Sequence, residues 1–159
     1  MLIVDNRYME IVEAYKNGGY TNRDMISFMP GHKRSRKICV VGLCPSKATK
    51  PTKTGSFAVS KYWFNEAGIF EYDLCNIVPH IENVPTNRIK KEIYYDLLKA
   101  RVSSFPKVIA LGNHASDALD RINIPHLKIP HPSRRNILLN NPKNVEKAIA
   151  DIRKYYHDN

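Results

Sequence analysis

Short apolar runs alternate along this chain with stretches whose apolar residues recur every three or four positions. Ile38-Cys39-Val40-Val41 is brief and rich in β-branched residues, and it predicts a central strand. Leu74 to Val78 predicts a second strand, stopped by Pro79. Val108-Ile109-Ala110-Leu111 predicts a third, turning at Gly112, and Leu127 to Ile129 a short fourth. Between these runs the period changes. Tyr8, Ile11, Val12 and Tyr15 share one helical face, ended by Gly18-Gly19. Tyr62-Trp63-Phe64 and Ala67 predict a short helix closed at Gly68. Ile89, Ile93 and Leu97, with Tyr94 and Leu98 beside them, predict a long amphipathic helix capped near Thr86 or Asn87. Asn113 is placed to cap the next helix, whose inner face is Ala115, Ala118, Leu119 and Ile122. Asn141-Pro142 is an N-cap followed by proline at the first helical position, and Val145, Ile149, Ile152 and Tyr156 form the stripe behind it.

Strands that alternate with helices imply a parallel connection pattern. The expectation is a three-layer α/β/α domain with a central, mostly parallel four-stranded sheet covered on both faces. A length of 159 residues suits a single domain over residues 1–159, with no internal repeat, low-complexity tract or long linker. Two polar turns follow predicted strands: Gly42-Leu43-Cys44-Pro45-Ser46, and His131-Pro132-Ser133-Arg134-Arg135-Asn136. Turns at strand ends are where an α/β protein builds its ligand site. The first offers backbone N–H groups and a hydroxyl; the second offers an imidazole, a hydroxyl and two guanidinium groups.

Charge narrows the partner. Lys and Arg number 25 against 15 Asp and Glu, a formal net charge of +10. That excess favours polyanions, of which nucleic acid is the commonest. The basic lead His32-Lys33-Arg34-Ser35-Arg36-Lys37 reads as a solvated loop or a phosphate contact. Cys39, Cys44 and Cys75 are too few and too irregularly spaced for a disulfide framework or a cysteine-ligated cluster, so no metal or cofactor is expected. Cys39 and Cys75 lie in apolar runs and read as buried small hydrophobes. No apolar stretch approaches the roughly 20 residues that cross a bilayer, and the first residues lack a signal-peptide pattern. An intracellular, membrane-free monomer is the expectation.

The order of these motifs resembles the uracil-DNA glycosylase superfamily. The resemblance spans residues 38 to 140 and rests on four stretches. Gly42-Leu43-Cys44-Pro45-Ser46 matches a Gly-x-x-Pro-small loop after the first strand. Phe57 occupies the position of the aromatic residue that stacks on a flipped base. Leu74-Cys75-Asn76-Ile77-Val78-Pro79, followed by Pro85-Thr86-Asn87-Arg88, is similar to the strand whose asparagine reads the base edge. His131-Pro132-Ser133 matches the motif that closes the site from the opposite side.

The resemblance implies a site in which each residue has a physical task. Extruding a base from the stack costs roughly a few kcal/mol, so the site needs a stacking face, a reader and a means of holding the strand. Gly42, Cys44, Pro45 and Ser46 would line the pocket, and Phe57 would stack, a contact worth about 1–3 kcal/mol in single-strand binders. The alternative for Phe57, which stands near Gly55-Ser56 in a loop-like stretch, is a place in the core. The Asn76 amide, inside an otherwise apolar strand, offers an acceptor and donors that match the O4 and N3–H edge of uracil. Its alternative is a core asparagine that ties down a loop. His131 would donate to the base O2 as negative charge develops there, or else be a structural histidine at a strand-to-loop junction; the other five histidines read as ordinary surface or loop residues. Ser133 would contact phosphate, and Arg134 and Arg135 would fill the vacated space or meet phosphate. Lys47, Lys50 and Lys53 would track the backbone on the other side. For the arginines and lysines, a solvated surface is the competing account.

One departure matters. Several branches of the superfamily carry Asp, Asn or Glu in the first motif, where this chain has Leu43 and Cys44. Leucine cannot act as a base, and cysteine would need its pKa lowered. The four-cysteine cluster of some branches is also absent. The expected function is therefore a DNA glycosylase acting on uracil or a modified pyrimidine. The alternatives are a catalytically impaired DNA-binding accessory protein on the same fold, and an enzyme acting on free nucleosides or nucleotides.

Overall fold

A computed structural model of the chain describes residues 37–43, 56–77, 93, 95–133 and 136–158. In chain order these form β1 (Ile38–Gly42), α1 (Ser56–Glu66), β2 (Asp73–Asn76), α2 (Tyr95–Val102), β3 (Lys107–Leu111), α3 (Gly112–Arg121), β4 (Leu127–Ile129), a 3-10 turn (Ile137–Asn140) and α4 (Pro142–His157). The four strands make one parallel sheet in the order β2-β1-β3-β4. The register sets Gly42 beside Asn76 and Leu111 beside Ile129.

The period-two alternation of the strands explains the layers. Cys39, Val41, Cys75, Val108 and Ala110 point to one face, where they pack with Leu98 and Val102 of α2 and Ala115, Ala118 and Leu119 of α3. Ile38, Val40, Ile109, Leu111 and Ile129 point to the other, against Trp63 and Phe64 of α1 and Ala148 and Ile152 of α4. Both faces being covered, β1 is apolar along its length and β3 is apolar after Lys107. Chain direction dictates which helix goes where. Right-handed crossovers that step one way along the sheet put α1 on one face, and those that step back put α2 and α3 on the other. Burying a side chain the size of Trp63, Phe64 or Ile152 contributes about 1.5–3 kcal/mol each, and these three anchor the α1–α4 layer.

The expected three-layer α/β/α architecture is present. The local details differ in three places. β2 runs Asp73–Asn76, so Asn76 is its last residue and not an interior one. Ile93 is buried but stands in non-helical backbone ahead of α2, and residues 86–92 and 94 of the expected helix lie outside the described residues. α3 begins at Gly112, with Leu111 in extended conformation at its N-cap and no side-chain cap, so Asn113 lies inside the helix. Asn141 does cap α4, its side chain accepting from Lys143 N–H, with Pro142 at the start. Cys39 and Cys75 are buried free thiols, and burial pushes Cys75 up to about 11. The helix expected at residues 8–15 and the basic lead at 32–36 lie outside the described residues. No helix among the described residues is long and apolar enough to cross a membrane.

Candidate functional site

All four strands run the same way, so their carboxyl ends share one edge. The order β2-β1-β3-β4 reverses direction between β1 and β3, and a crevice opens at such a reversal. The strands that flank it end on glycine or lead straight into it: β1 at Gly42, and β3 at Leu111 followed by Gly112.

Each glycine leaves room that a neighbouring polar side chain takes up. A Cβ on Gly42 would stand 2.7 Å from Asn76 Oδ1, with Leu111 Cδ1 at 3.9 Å. The Asn76 amide thus occupies the space that a side chain on β1 would fill. The strand ends are tied by Ile77 N–H donating to Gly42 O at 3.0 Å. Gly112 has φ +86°, a left-handed conformation natural to glycine, and a Cβ there would meet His131 Cβ at 3.0 Å. Asn76 comes from β2 and His131 follows β4, the two outer strands. Three strand spacings separate their backbones by about 14 Å. Each side chain leans inward, Asn76 over the end of β1 and His131 over the start of α3. The two polar heads therefore stand at the same edge, each beside the glycine of a central strand end.

The electrostatics of this edge come from the same placement. Burial holds the His131 imidazole below its ordinary range, and His114 in the first turn of α3 lowers it further. His131 is therefore neutral at pH 7, with one N–H to donate. The first turn of α3 carries no acidic residue, so its free N–H groups leave partial positive charge beside His131. Among the described residues, neither the Asn76 amide nor the His131 imidazole has a hydrogen-bond partner.

The turn that carries His131 is closed by Asn136. Asn136 Nδ2 donates to His131 O at 3.0 Å, and Asn136 N–H donates to Ser133 O at 2.9 Å. Pro132 is buried and Ser133 half-buried within this loop. Past it, Ile137 and Leu138 are 78% and 54% exposed.

Of the residues predicted for the site, Gly42, Asn76 and His131 therefore line one edge, and Ser133 adjoins it. Phe57 lies in the first turn of α1 rather than in a loop. Because α1 runs back from the end of β1 to the start of β2, that turn is toward the same edge. The Phe57 side chain, with Cys44, Pro45, Ser46, Lys47, Lys50, Lys53, Arg134 and Arg135, lies outside the described residues. Leu43 packs against the core.

Three contributors are not visible in the motif reading. Asn136 stands at the end of the second motif, just before Ile137-Leu138-Leu139, where a capping signal is legible. His114 has no local signal, since its relation to His131 exists only after folding. His126 is not a surface residue either. Its ring bridges Ser116 Oγ at 2.7 Å and Ile124 O at 2.8 Å, which pins α3 to the approach of β4. Among the described residues no three His, Cys, Asp or Glu side chains gather as a metal site. No protein-family model matches this chain, and no curated protein sequence matches it either.

Proposed function

We propose that this chain is a DNA glycosylase that hydrolyses the N-glycosidic bond of uracil or a modified pyrimidine flipped out of DNA. The observation that carries the reading is the placement of Asn76 and His131 at the carboxyl edge beside Gly42 and Gly112, each polar head without a hydrogen-bond partner among the described residues. The asparagine amide presents both an acceptor and donors, as the O4 and N3–H edge of uracil requires. The opposing N–H of a neutral imidazole would donate to O2. When the bond from C1′ to the base nitrogen breaks, its electron pair leaves with the base, and negative charge spreads onto O2. A donor already aimed there stabilises that charge without reorganisation. Water supplies hydroxide to C1′ and its proton ends on the departing base. The net charge of +10 supports a polyanionic partner, and the exposed Ile137 and Leu138 are suited to press on bases beside the site. On this reading the protein works inside the cell, as a monomer and without a cofactor.

The test is incubation with uracil-, hydroxymethyluracil- and mismatch-containing oligonucleotides, followed by alkaline cleavage of abasic sites. Strand breaks that disappear in His131→Ala support the proposal; no breaks from well-folded protein on any substrate would sink it.

A second reading is favoured by Leu43. The side chain next to Gly42, where a water-activating group would be useful, is a leucine turned to the core. The same edge would then bind a base without releasing it. Salt-sensitive oligonucleotide binding with no abasic product is its signature, and no binding at low salt removes it.

A further inference from the structure

The Asn136 side chain bonds both to the His131 turn and to the exposed apolar tip. Its Nδ2 holds His131 O at 3.0 Å, while its Oδ1 accepts from Leu138 N–H at 3.1 Å. Its backbone N–H closes on Ser133 O. The far side of the tip is also tied, because Asn144 Nδ2 of α4 donates to Leu138 O at 2.8 Å. Ile137 and Leu138 are therefore exposed but held, and exposed apolar side chains on a held turn suit a surface that is pressed on. The Asn136 amide thus links the tip directly to the His131 backbone. The imidazole side is flanked by Gly112, where a Cβ would stand 3.0 Å from His131 Cβ, and has no hydrogen-bond partner among the described residues.

We propose that Asn136 is a positioning residue that locks His131 to the Ile137–Leu138 tip, so that a nucleic-acid strand seated on the tip sets the imidazole for the base. The role in base release rests on the glycosylase reading above; the lock itself is a property of the free protein. The competing account is that Asn136 merely caps the 3-10 turn.

Two substitutions separate these accounts. Asn136→Ser keeps a hydroxyl acceptor suited to capping, but is one bond too short to reach His131 O. Asn136→Ala removes both functions. The readout is the His131 ring resonance, followed by NMR through its titration with His114 intact. An unlocked turn lets water reach the ring, so its midpoint rises toward the ordinary value near 6.5. The lock predicts the same rise in Ser and Ala variants. A Ser variant that titrates like wild type overturns it, and so does an unmoved midpoint in both. Should the Ala variant fail to fold, the Ser variant alone decides.

Adding a uracil-containing oligonucleotide extends the test. The wild-type His131 resonance should move on binding. In Asn136→Ser that movement should fall by more than about half while affinity stays within about threefold, and in active protein kcat should drop about tenfold or more with KM little changed. An undiminished movement overturns the link to the strand. Failure of wild-type protein to bind the oligonucleotide sinks the nucleic-acid reading instead, and the titration in free protein still decides the lock.

Discussion

β2 begins and ends on a polar residue, and the two have opposite surroundings. Asp73, at its start, meets Arg101 of α2 at 2.5 Å, with both side chains 3% exposed. Asn76, at its end, is half-buried and has no hydrogen-bond partner among the described residues. The contrast holds across the sheet. At the start of β3, Lys107 Nζ donates to Tyr155 O and Asp158 O at the end of α4, and Val108 N–H donates to Tyr155 Oη at 3.1 Å. At the opposite edge His131 leans on Gly112, and its imidazole has no hydrogen-bond partner among the described residues. Polar groups at the amino ends are consumed by the architecture, which satisfies them at the cost of making them inert. Those at the carboxyl ends are half-buried and, among the described residues, have no hydrogen-bond partner, a state that costs stability and gains from a ligand.

The largest effect should come from breaking the amino-end pair. Arg101→Leu strands a buried carboxylate and should cost about 3–5 kcal/mol in urea unfolding, whereas Asp73→Leu combined with Arg101→Leu should recover part of that loss. Asn76→Ala should cost less than about 1 kcal/mol by the same measurement, because no bond is lost. Equal losses at the two ends of β2 would erase the distinction between them. Next in size is Gly112→Ala. A left-handed φ of +86° together with a Cβ 3.0 Å from His131 Cβ should cost about 1–3 kcal/mol and displace the histidine, visible as a moved His131 ring resonance. A variant as stable as wild type with an unmoved resonance would show that Gly112 is not the support proposed for the imidazole.

The two ends also differ in how far they can be read from sequence. β1, β3 and β4 stand out as brief β-branched or apolar runs, and the start of α4 follows from Asn141-Pro142, because those signals are local. Gly42, Asn76 and His131 can be picked out as polar or glycine punctuation at the ends of such runs. The Asp73–Arg101 pair cannot, since it joins residues 28 apart across two layers and nothing near Arg101 marks it as buried. The start of α3 is equally illegible: Leu111 sits at its N-cap in extended backbone without a capping side chain, so Asn113 draws the eye two positions too late. Nor does any local pattern tell that Gly112 supports His131 or that His114 approaches it. The candidate residues at the carboxyl edge are thus legible as punctuation, while the supports beneath them depend on strand order.

A smaller effect on stability is expected at the other glycine. Gly42→Ala forces a methyl to within 2.7 Å of Asn76 Oδ1, but that atom is the free end of a side chain and can rotate away. Stability should fall by less than about 1 kcal/mol. Affinity for a uracil-containing oligonucleotide should fall about tenfold, the worth of one hydrogen bond to a displaced amide. Undiminished binding would remove Asn76 from the reader role without disturbing the fold.

The smallest effect is a slope with pH. Burial, and then His114, hold the folded-state pKa of His131 below its ordinary value near 6.5. As pH falls through about 6.5 the unfolded chain takes up the proton first, so it binds more protons than the folded protein and stability declines. The decline continues until pH reaches the folded-state pKa; above 6.5 the residue contributes no slope. His131→Gln should therefore make the urea stability less dependent on pH below 6.5 and leave it unchanged at pH 8, apart from a constant offset. His114→Gln should raise the His131 midpoint by removing the second cause and take away only part of the slope. Identical slopes in wild type and His131→Gln would mean that the imidazole is solvated in the folded state, and the carboxyl edge would then lack the desolvated polar group that sets it apart from the amino edge.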